Sequence, residues 1–250
     1  MKEGEESTEV QDFGLMLSTP VEGELPLVVG GHAVNLWAWF FRKRIGNALN
    51  QWLPLTSKDL DLVGTIVLLN ELKLRFGGQY RLSGPRSPVV GQLVVRLGGK
   101  DLKIDVLKDV FGLGPKDLMI EAPVIEVEDR NGNFSARVIA PVVLLQGKIA
   151  NVARLDQTGR NDIRHVQLML LVIHSYLSEL IEATESDLID SRIVIIQLEL
   201  ARTIIASPDA LKCTSSHGLD FNVIWPRELL DASQDSRLRN FVKLRLPISV

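Results

Sequence analysis

The sequence predicts an α+β fold, in which a mixed β-sheet with flanking helices is followed by a helical C-terminal domain. Short apolar runs separated by turn residues alternate with helical patterns as far as residue 139, and long amphipathic patterns replace them after Ala140. The 250 residues are 46% hydrophobic, enough for one large domain or two small ones. We therefore predict a mixed-sheet domain at 20–140 and a helical domain at 141–250.

Residues 1–19 contain many acids and few large apolar residues, so we predict a mobile or loosely docked arm there. A first core strand is predicted at 25–30, and it ends at Gly30-Gly31. A helix with apolar residues at helical spacing follows at 32–44. The connection at 45–57 is long and polar.

The next strand is predicted at 58–63 and carries two acids, Asp59 and Asp61. A helix is predicted at 65–76, ended by a pair of glycines. Two hairpins follow, the first turning at residues 98–101 and the second at Asn131-Gly132, and both are expected to extend the same sheet. Their strands are predicted at 89–97 with 102–107, and at 124–128 with 134–139.

The helical half begins at Pro141, which favours the first turn of a helix. That helix is predicted to reach residue 155, and a long amphipathic helix follows at 161–182. Ser186 or Asp187 is expected to cap another helix, which ends before Ser207-Pro208. Two shorter elements are predicted at 221–230 and 237–246.

The charge, cysteine content and hydropathy of the chain indicate where the protein is located and which kinds of binding are disfavoured. The formal net charge of −3 argues against a chain that coats nucleic acid by bulk charge, and leaves a local basic groove open. A single cysteine, Cys213, permits no intramolecular disulfide, which fits a reducing cytosol. No uninterrupted apolar run approaches the roughly 20 residues that span a bilayer. We therefore predict a cytoplasmic protein with no membrane segment.

The two acids of the 58–63 strand are the sharpest chemical signal. Successive side chains of a strand point to opposite faces, so Asp59 and Asp61 are expected to share a face. Two neighbouring carboxylates repel each other, and a divalent cation relieves that repulsion. Upstream, Gly30-Gly31 leaves backbone N–H groups exposed at the start of a helix, where a phosphate can bind. Together these residues predict a site for a metal-bound nucleoside triphosphate.

The segment VVGGHAVNLW followed by TSKDLDL resembles the DNA polymerase beta superfamily of nucleotidyltransferases. These two segments are most similar to the bacterial abortive-infection nucleotidyltransferases, the toxin halves of type IV toxin–antitoxin pairs. The resemblance implies a third carboxylate on a neighbouring strand, and Asp105 in KIDVL fits it. It implies that Asp59, Asp61 and Asp105 are the catalytic, metal-binding residues of a site for two Mg²⁺ ions and a nucleoside triphosphate.

The same resemblance implies further nucleotide-binding residues. Gly30 and Gly31 would contact the triphosphate, and Ser57 and Lys58 stand just before the acids. The arginine that the family often has there is missing, since Leu55 occupies its place. In addition, QGKIANVARL and GRNDIRH resemble later family motifs and assign Lys148 and Asp162 to the nucleotide.

The predicted function is transfer of a nucleotide from a nucleoside triphosphate to a hydroxyl, with release of pyrophosphate. The resemblance implies a tRNA 3′ end or a protein as acceptor, and a cognate antitoxin as partner. Two alternatives stay open: a small-molecule transferase of the aminoglycoside-modifying type, and a nucleotide-binding module without turnover. The tryptophans are expected in the core or a lid, and Cys213 in a polar loop.

Overall fold

The computed structural model describes residues 7–118, 122–128 and 132–246. The chain divides into two compact units, Met1–Gly147 and Lys148–Val250. The division lies within one helix, seven residues after the predicted boundary at 140. The fold-class prediction is confirmed, because the first unit contains a mixed sheet with helices and the second is helical.

The described residues of the first unit form nine strands: β1 (Thr8–Glu9), β2 (Leu27–Val29), β3 (Thr56–Ser57), β4 (Leu60–Val63), β5 (Gln79–Leu82), β6 (Val89–Leu97), β7 (Lys100–Leu107), β8 (Val124–Val127) and β9 (Phe134–Val138). Seven of them form one sheet, in the order β5-β6-β7-β4-β2-β9-β8. Neighbours pair antiparallel, except that β4 is parallel to β7 and β2 is parallel to β9. A separate two-stranded ladder joins β1 to β3.

Alternation along the central strands gives the large sheet one apolar face. On β4, Leu60 and Leu62 are fully buried and pair in register with Ile104 and Val106 of β7, which are also fully buried. The alternate positions of both strands lie on the opposite face and are only partly buried. The helices of this unit are α1 (Gly14–Leu17), α2 (Gly30–Phe40), α3 (Arg42–Ile45), α4 (Ile66–Phe76) and α5 (Pro115–Leu118), followed by α6 (Pro141–Arg154), which crosses into the second unit.

The N-terminal segment differs from the prediction of a loosely docked arm. From Thr8 it forms β1, a 3₁₀ turn and α1, and it buries Val10, Phe13, Met16 and Leu17 almost completely. Burial of such side chains contributes about 1.5–3 kcal/mol each, which is enough to hold the segment against the sheet. The prediction is therefore wrong for residues 8–17.

Both predicted hairpins are present. β6 and β7 turn at Gly98-Gly99, and β8 pairs with β9. The Asn131 half of the second predicted turn lies outside the described residues. The edge strand β5 was not predicted; its four residues alternate polar and apolar, but the run is short and all four are exposed.

The second unit is built from helices. Its long helix α7 (Asp162–Glu185) buries thirteen residues. The next helix, α8 (Ser191–Ile205), was predicted to be capped by Ser186 or Asp187, but its cap is Asp190, whose side chain accepts a hydrogen bond from Arg192 N. Cys213 is buried on a helix and does not lie in a polar loop. The remaining helices are α9 (Pro208–His217), α10 (Arg227–Ala232) and α11 (Ser236–Arg245).

By length and composition, α7 alone among the described helices is apolar enough to cross a membrane. More than half of its most apolar window, 56%, is buried inside the protein. This burial is typical of the core helix of a globular protein.

Candidate functional site

Two of the three predicted acids are brought together by strand register. Asp61 on β4 pairs with Asp105 on the parallel neighbour β7. Paired residues of adjacent strands lie about 4.8 Å apart across the ladder and point to the same face. Both acids are partly buried on the face opposite the leucines. The pair thus concentrates negative charge on one patch of the sheet.

The glycine turn lies directly beside this pair. β2 pairs antiparallel with β4, so that Val29, the last residue of β2, lies opposite Asp61. Gly30 follows with φ +70° and opens α2. A Cβ on Gly30 would lie 1.9 Å from Asp61 Oδ2. The carboxylate therefore approaches the backbone at the N-terminus of α2, where the helix dipole favours negative charge and where only glycine leaves room.

Gln92 completes a row across the sheet and was missed by sequence analysis. It lies opposite Asp105 on β6, and its Nε2 donates to Asp105 Oδ1 over 2.7 Å. The row therefore reads Gln92, Asp105, Asp61 and Val29 on four adjacent strands. An amide donor in this position fixes the orientation of the Asp105 carboxylate.

Asp59 is placed differently from the prediction. It lies on the bend before β4, because the strand begins at Leu60. The strand alternation that was expected to align Asp59 with Asp61 therefore does not extend to it. Among the described residues, no three His, Cys, Asp or Glu side chains are grouped so that they could hold a metal ion.

The Asp61–Asp105 pair nevertheless has the donor set that Mg²⁺ uses. This ion is commonly held by one or two carboxylates, with water and substrate phosphates as its other ligands. Hard carboxylate oxygens next to an anion-binding helix N-terminus meet both requirements. The residues present therefore fit a magnesium-bound phosphate better than a closed, all-protein metal site.

Ser57 and Lys58 lie where the chain passes from the two-stranded ladder to the acid-bearing strand β4. Ser57 ends β3, and its carbonyl accepts from Thr8 Oγ1 over 3.1 Å, while Lys58 lies exposed on the next bend. The Thr8 hydroxyl also lies 3.2 Å from Nε2 of His32, a fully buried residue of the first turn of α2. Burial lowers the pKa of His32 to about 3, against a smaller opposing effect of Asp12. A neutral His32 thus joins the N-terminal segment to the helix that begins at the glycine turn.

The other two predicted nucleotide-binding residues meet in the second unit. Lys148 and Asp162 have side chains only 8% and 5% exposed, and Lys148 Nζ lies 3.2 Å from Asp162 Oδ1. Asn151 donates to the same oxygen over 3.3 Å, and Arg160 Nε donates to Oδ2 over 2.6 Å. Lys148 is therefore a buried member of an ion-pair network within its own unit.

Electrostatics favour the ionised form of Asp162. Burial acts to raise the pKa of this carboxyl, but the charges and hydrogen bonds of Lys148 and Arg160 outweigh it and hold the pKa below its usual range. His165 is also buried, with Nδ1 4.0 Å from Asp162 Oδ1. The cluster is a charge-assisted network that links α6 to the start of α7.

Comparison with protein-family models and with curated protein sequences gives no match. Among solved structures, the chain is similar to an antigenic nucleotidyltransferase-like protein from Paracoccidioides brasiliensis. That alignment has 16% identity and a TM-score of 0.36, and it covers 58% of this chain. It spans 66% of the fungal protein, just under two thirds of its length.

Proposed function

We propose that this protein is an Mg²⁺-dependent nucleotidyltransferase that moves a nucleotide from a nucleoside triphosphate to a hydroxyl. One observation carries the proposal. The glycine turn at the N-terminus of α2 adjoins an in-register pair of carboxylates, with Asp61 against Gly30 and Asp105 beside Asp61. An anion-binding turn next to two acids suits a phosphate that arrives with a divalent cation.

In this proposal the triphosphate binds at Gly30 and Gly31, where backbone N–H groups can donate to its oxygens. Bound Mg²⁺ would neutralise charge on the triphosphate and on the departing pyrophosphate. Asp61 and Asp105 would hold the metal, and Asp59 is a further ligand candidate because it precedes Asp61 by only two residues. Ser57 and Lys58 are candidates for contacts to the phosphate groups, since they lie immediately before Asp59 in the chain.

The chemical step joins the acceptor oxygen to the α-phosphorus and breaks the bond from that phosphorus to the oxygen bridging it to the β-phosphate. Asp105 would accept the proton of the acceptor hydroxyl, and pyrophosphate would leave. Gln92 would hold Asp105 in orientation, since it donates to Oδ1 and leaves Oδ2 for another partner. Positioning would supply most of the rate enhancement.

The sequence resemblance extends the proposal to acceptor and biology. It supports a tRNA 3′ end or a protein hydroxyl as the acceptor, and a toxin that a cognate antitoxin neutralises in the cytoplasm. Lys148 and Asp162 are proposed nucleotide contacts on the same ground. Their burial and mutual ion pair favour a structural role for these two residues instead.

A second candidate function is nucleotide binding without turnover. It is favoured by the position of Asp59 on the bend before β4 and by Leu55 in the place of the family's arginine. In that case the Asp61–Asp105 pair would bind the metal-bound nucleotide but lack the third carboxylate that catalysis requires.

Pyrophosphate release tests the proposal. We would supply each of the four nucleoside triphosphates with Mg²⁺ and total RNA, and compare the wild type with Asp61→Asn and Asp105→Asn. The proposal predicts release by the wild type and a loss of at least about 100-fold in either variant, since each removes a group on which the transition state depends.

Asp101→Asn is the matched control. Asp101 lies on the same strand as Asp105 but is exposed, and its ion pair with Arg96 is long, at 3.9 Å, so the variant should retain full activity. Nucleotide binding without release from the wild type would favour the second candidate function. Wild-type release that survives both site substitutions would contradict the proposed site.

A further inference from the structure

A cavity of the first unit lies outside the carboxylate row. It has a volume of about 990 Å³ and is walled by the N-terminal residues 9–12, the outer part of α2 and the loop at 53–55. Small-molecule sites commonly have volumes of about 300–1,000 Å³. The cavity is therefore large enough for a molecule the size of a nucleoside.

Asn35 is the polar anchor of this cavity. It lies on α2, is only 1% exposed, and lines the cavity wall. Its Nδ2 is buried and has no hydrogen-bond partner within the described part of the chain. A buried amide donor without a partner is costly, and a ligand that supplies an acceptor would relieve that cost.

The neighbouring wall contains an aromatic ring and a guanidinium stacked on it. Trp39 follows Asn35 by one helical turn, and its indole Nε1 donates to the carbonyl of Glu128 over 3.1 Å. Arg42 lies over the Trp39 ring with Cζ 4.6 Å from the centroid. Pro54 and Leu55 contribute apolar surface on the loop side. A planar ring fits such a wall, because aromatic side chains bind bases by stacking.

The charges of the lining limit what can enter. Three carboxylates line the cavity, from Glu9, Asp12 and Glu128, against one guanidinium, from Arg42. Two of these acids already have cationic partners, since Lys100 binds Asp12 over 2.8 Å and Arg42 binds Glu128. This lining disfavours phosphate groups and offers acceptors to an amino group.

We propose that this cavity is a binding site for an amino-bearing nucleobase, with Asn35 reading the edge of the base and any phosphates remaining outside. An asparagine amide pairs well with adenine, donating to a ring nitrogen and accepting from the exocyclic amine. The base can belong to a nucleoside triphosphate or to the 3′ end of an RNA, and the chemistry of recognition is the same.

The test is calorimetric titration of the full-length protein with adenosine and with uridine, which has no exocyclic amine. We expect adenosine to bind at least about tenfold more tightly than uridine, and Asn35→Leu to weaken adenosine binding by about tenfold or more. Asn70→Leu, an exposed amide on α4, is the matched control and should change nothing. Adenosine has no phosphates, so Asp105→Asn should leave its binding intact even if the proposed function fails.

Thermal unfolding of Asn35→Leu distinguishes a ligand anchor from a structural amide. Leucine has a similar volume and removes an unpartnered donor, so the variant should unfold at the same or a higher temperature. A lower unfolding temperature would mean that Asn35 bonds within the protein and would overturn the proposal. Absence of adenosine binding to the wild type, or equal binding by Asn35→Leu, would also overturn it.

Titration with ATP and with an RNA oligonucleotide ending in 3′-adenosine identifies the source of the base. If the base belongs to the triphosphate, Asn35→Leu weakens ATP binding as it weakens adenosine binding. If the base belongs to an RNA end, the variant weakens binding of the oligonucleotide and leaves ATP binding unchanged.

Discussion

The carboxylate row of the first unit and the ion-pair cluster of the second were both predicted as parts of a nucleotide site, yet their chemistry differs. The row places two like charges, Asp61 and Asp105, side by side on a partly exposed sheet face. The cluster pairs opposite charges, with the buried Lys148 and the partly exposed Arg160 both bonded to the buried Asp162. Like charges gathered beside a helix N-terminus suit a bound cation and phosphate, whereas opposite charges paired in a core suit structure.

This contrast predicts how substitutions in the two regions behave. Changes in the row should alter nucleotide binding and leave the fold largely intact. Changes in the cluster should lower the free energy of unfolding whether or not a nucleotide binds. A variant that reverses either expectation would show that the roles of the row and the cluster are assigned wrongly.

The largest effect is expected in the cluster. Asp162→Asn leaves the Lys148 ammonium buried without its carboxylate, and breaking a buried ion pair in this way costs about 3–5 kcal/mol. Glu199→Gln is the control, since its pairs with Arg202 and Arg245 are partly exposed and each is worth at most about 1 kcal/mol. Chemical denaturation measures both. If Asp162→Asn is fully stable but has lost nucleotide binding, the cluster is part of the nucleotide site and does not stabilise the fold.

At the glycine turn, Gly30→Ala should cost about 2–4 kcal/mol, because it combines a positive φ with a Cβ 1.9 Å from Asp61 Oδ2. It should also weaken nucleotide binding by displacing the carboxylate. Gly98→Ala separates the two causes, since Gly98 has φ +57° but no atom of the described residues lies within 4 Å of the position of its Cβ. The control should lose about 1 kcal/mol and bind normally. Equal losses in both variants would show that the close approach of Asp61 does not matter.

Acid pH should lower the stability of the first unit more than that of the second. Folded His32 has a pKa of about 3, so between pH 6.5 and that value the unfolded chain binds a proton that the folded chain does not. The first unit should therefore lose up to about 1.4 kcal/mol per pH unit in this window as the pH falls. The pKa of Asp162 is also lowered, but the ordinary pKa of an aspartate is only about 3.9, so the contribution of Asp162 is complete above about pH 4 and declines only below it.

Hydrogen exchange, followed segment by segment from pH 7 to pH 4, measures this difference. Exchange protection in the first unit should fall with pH and become less pH-dependent in His32→Gln. Protection in the second unit should stay nearly constant over the same range. Identical pH profiles for His32→Gln and the wild type would contradict a neutral, buried His32.

The smallest effect is expected from Gln92→Leu. Loss of the 2.7 Å hydrogen bond to Asp105 should weaken nucleotide binding by about fivefold, equivalent to about 1 kcal/mol. Gln79→Leu on the exposed edge strand is the control and should bind as the wild type does. A loss in Gln92→Leu as large as that in Asp105→Asn would give Gln92 a more direct role than orientation.

The strands that form the row could be predicted from the sequence, but the register that places Gln92 opposite Asp105 was not predicted. The first hairpin was predicted with a four-residue turn, which would place Val94 opposite Asp105. In the structure the turn contains only Gly98-Gly99, so Leu97 pairs with Lys100 and Gln92 reaches Asp105. A strict two-residue turn applied to the sequence would have found Gln92.

Other differences arise where tertiary packing overrides composition. Acidic residues suggested a loose N-terminal arm, while Phe13, Met16 and Leu17 lie at helical spacing and are fully buried. Lys148 was predicted from its motif as a nucleotide contact, but the residues around it do not indicate its ion pair with Asp162, fourteen positions later in the chain. Periodicity within a segment does not contain that long-range pairing.

Nucleotide affinity with and without Mg²⁺ shows whether the carboxylate row binds a metal-bound nucleotide. Each of the four nucleoside triphosphates would be titrated calorimetrically into the wild type, Asp61→Asn, Asp105→Asn and the exposed control Asp101→Asn. We predict Mg²⁺-dependent binding by the wild type and Asp101→Asn, and affinity at least about tenfold weaker in the two site variants, since each lacks one charged metal ligand. Binding that is unchanged by removal of Mg²⁺ or by both site substitutions would contradict the account.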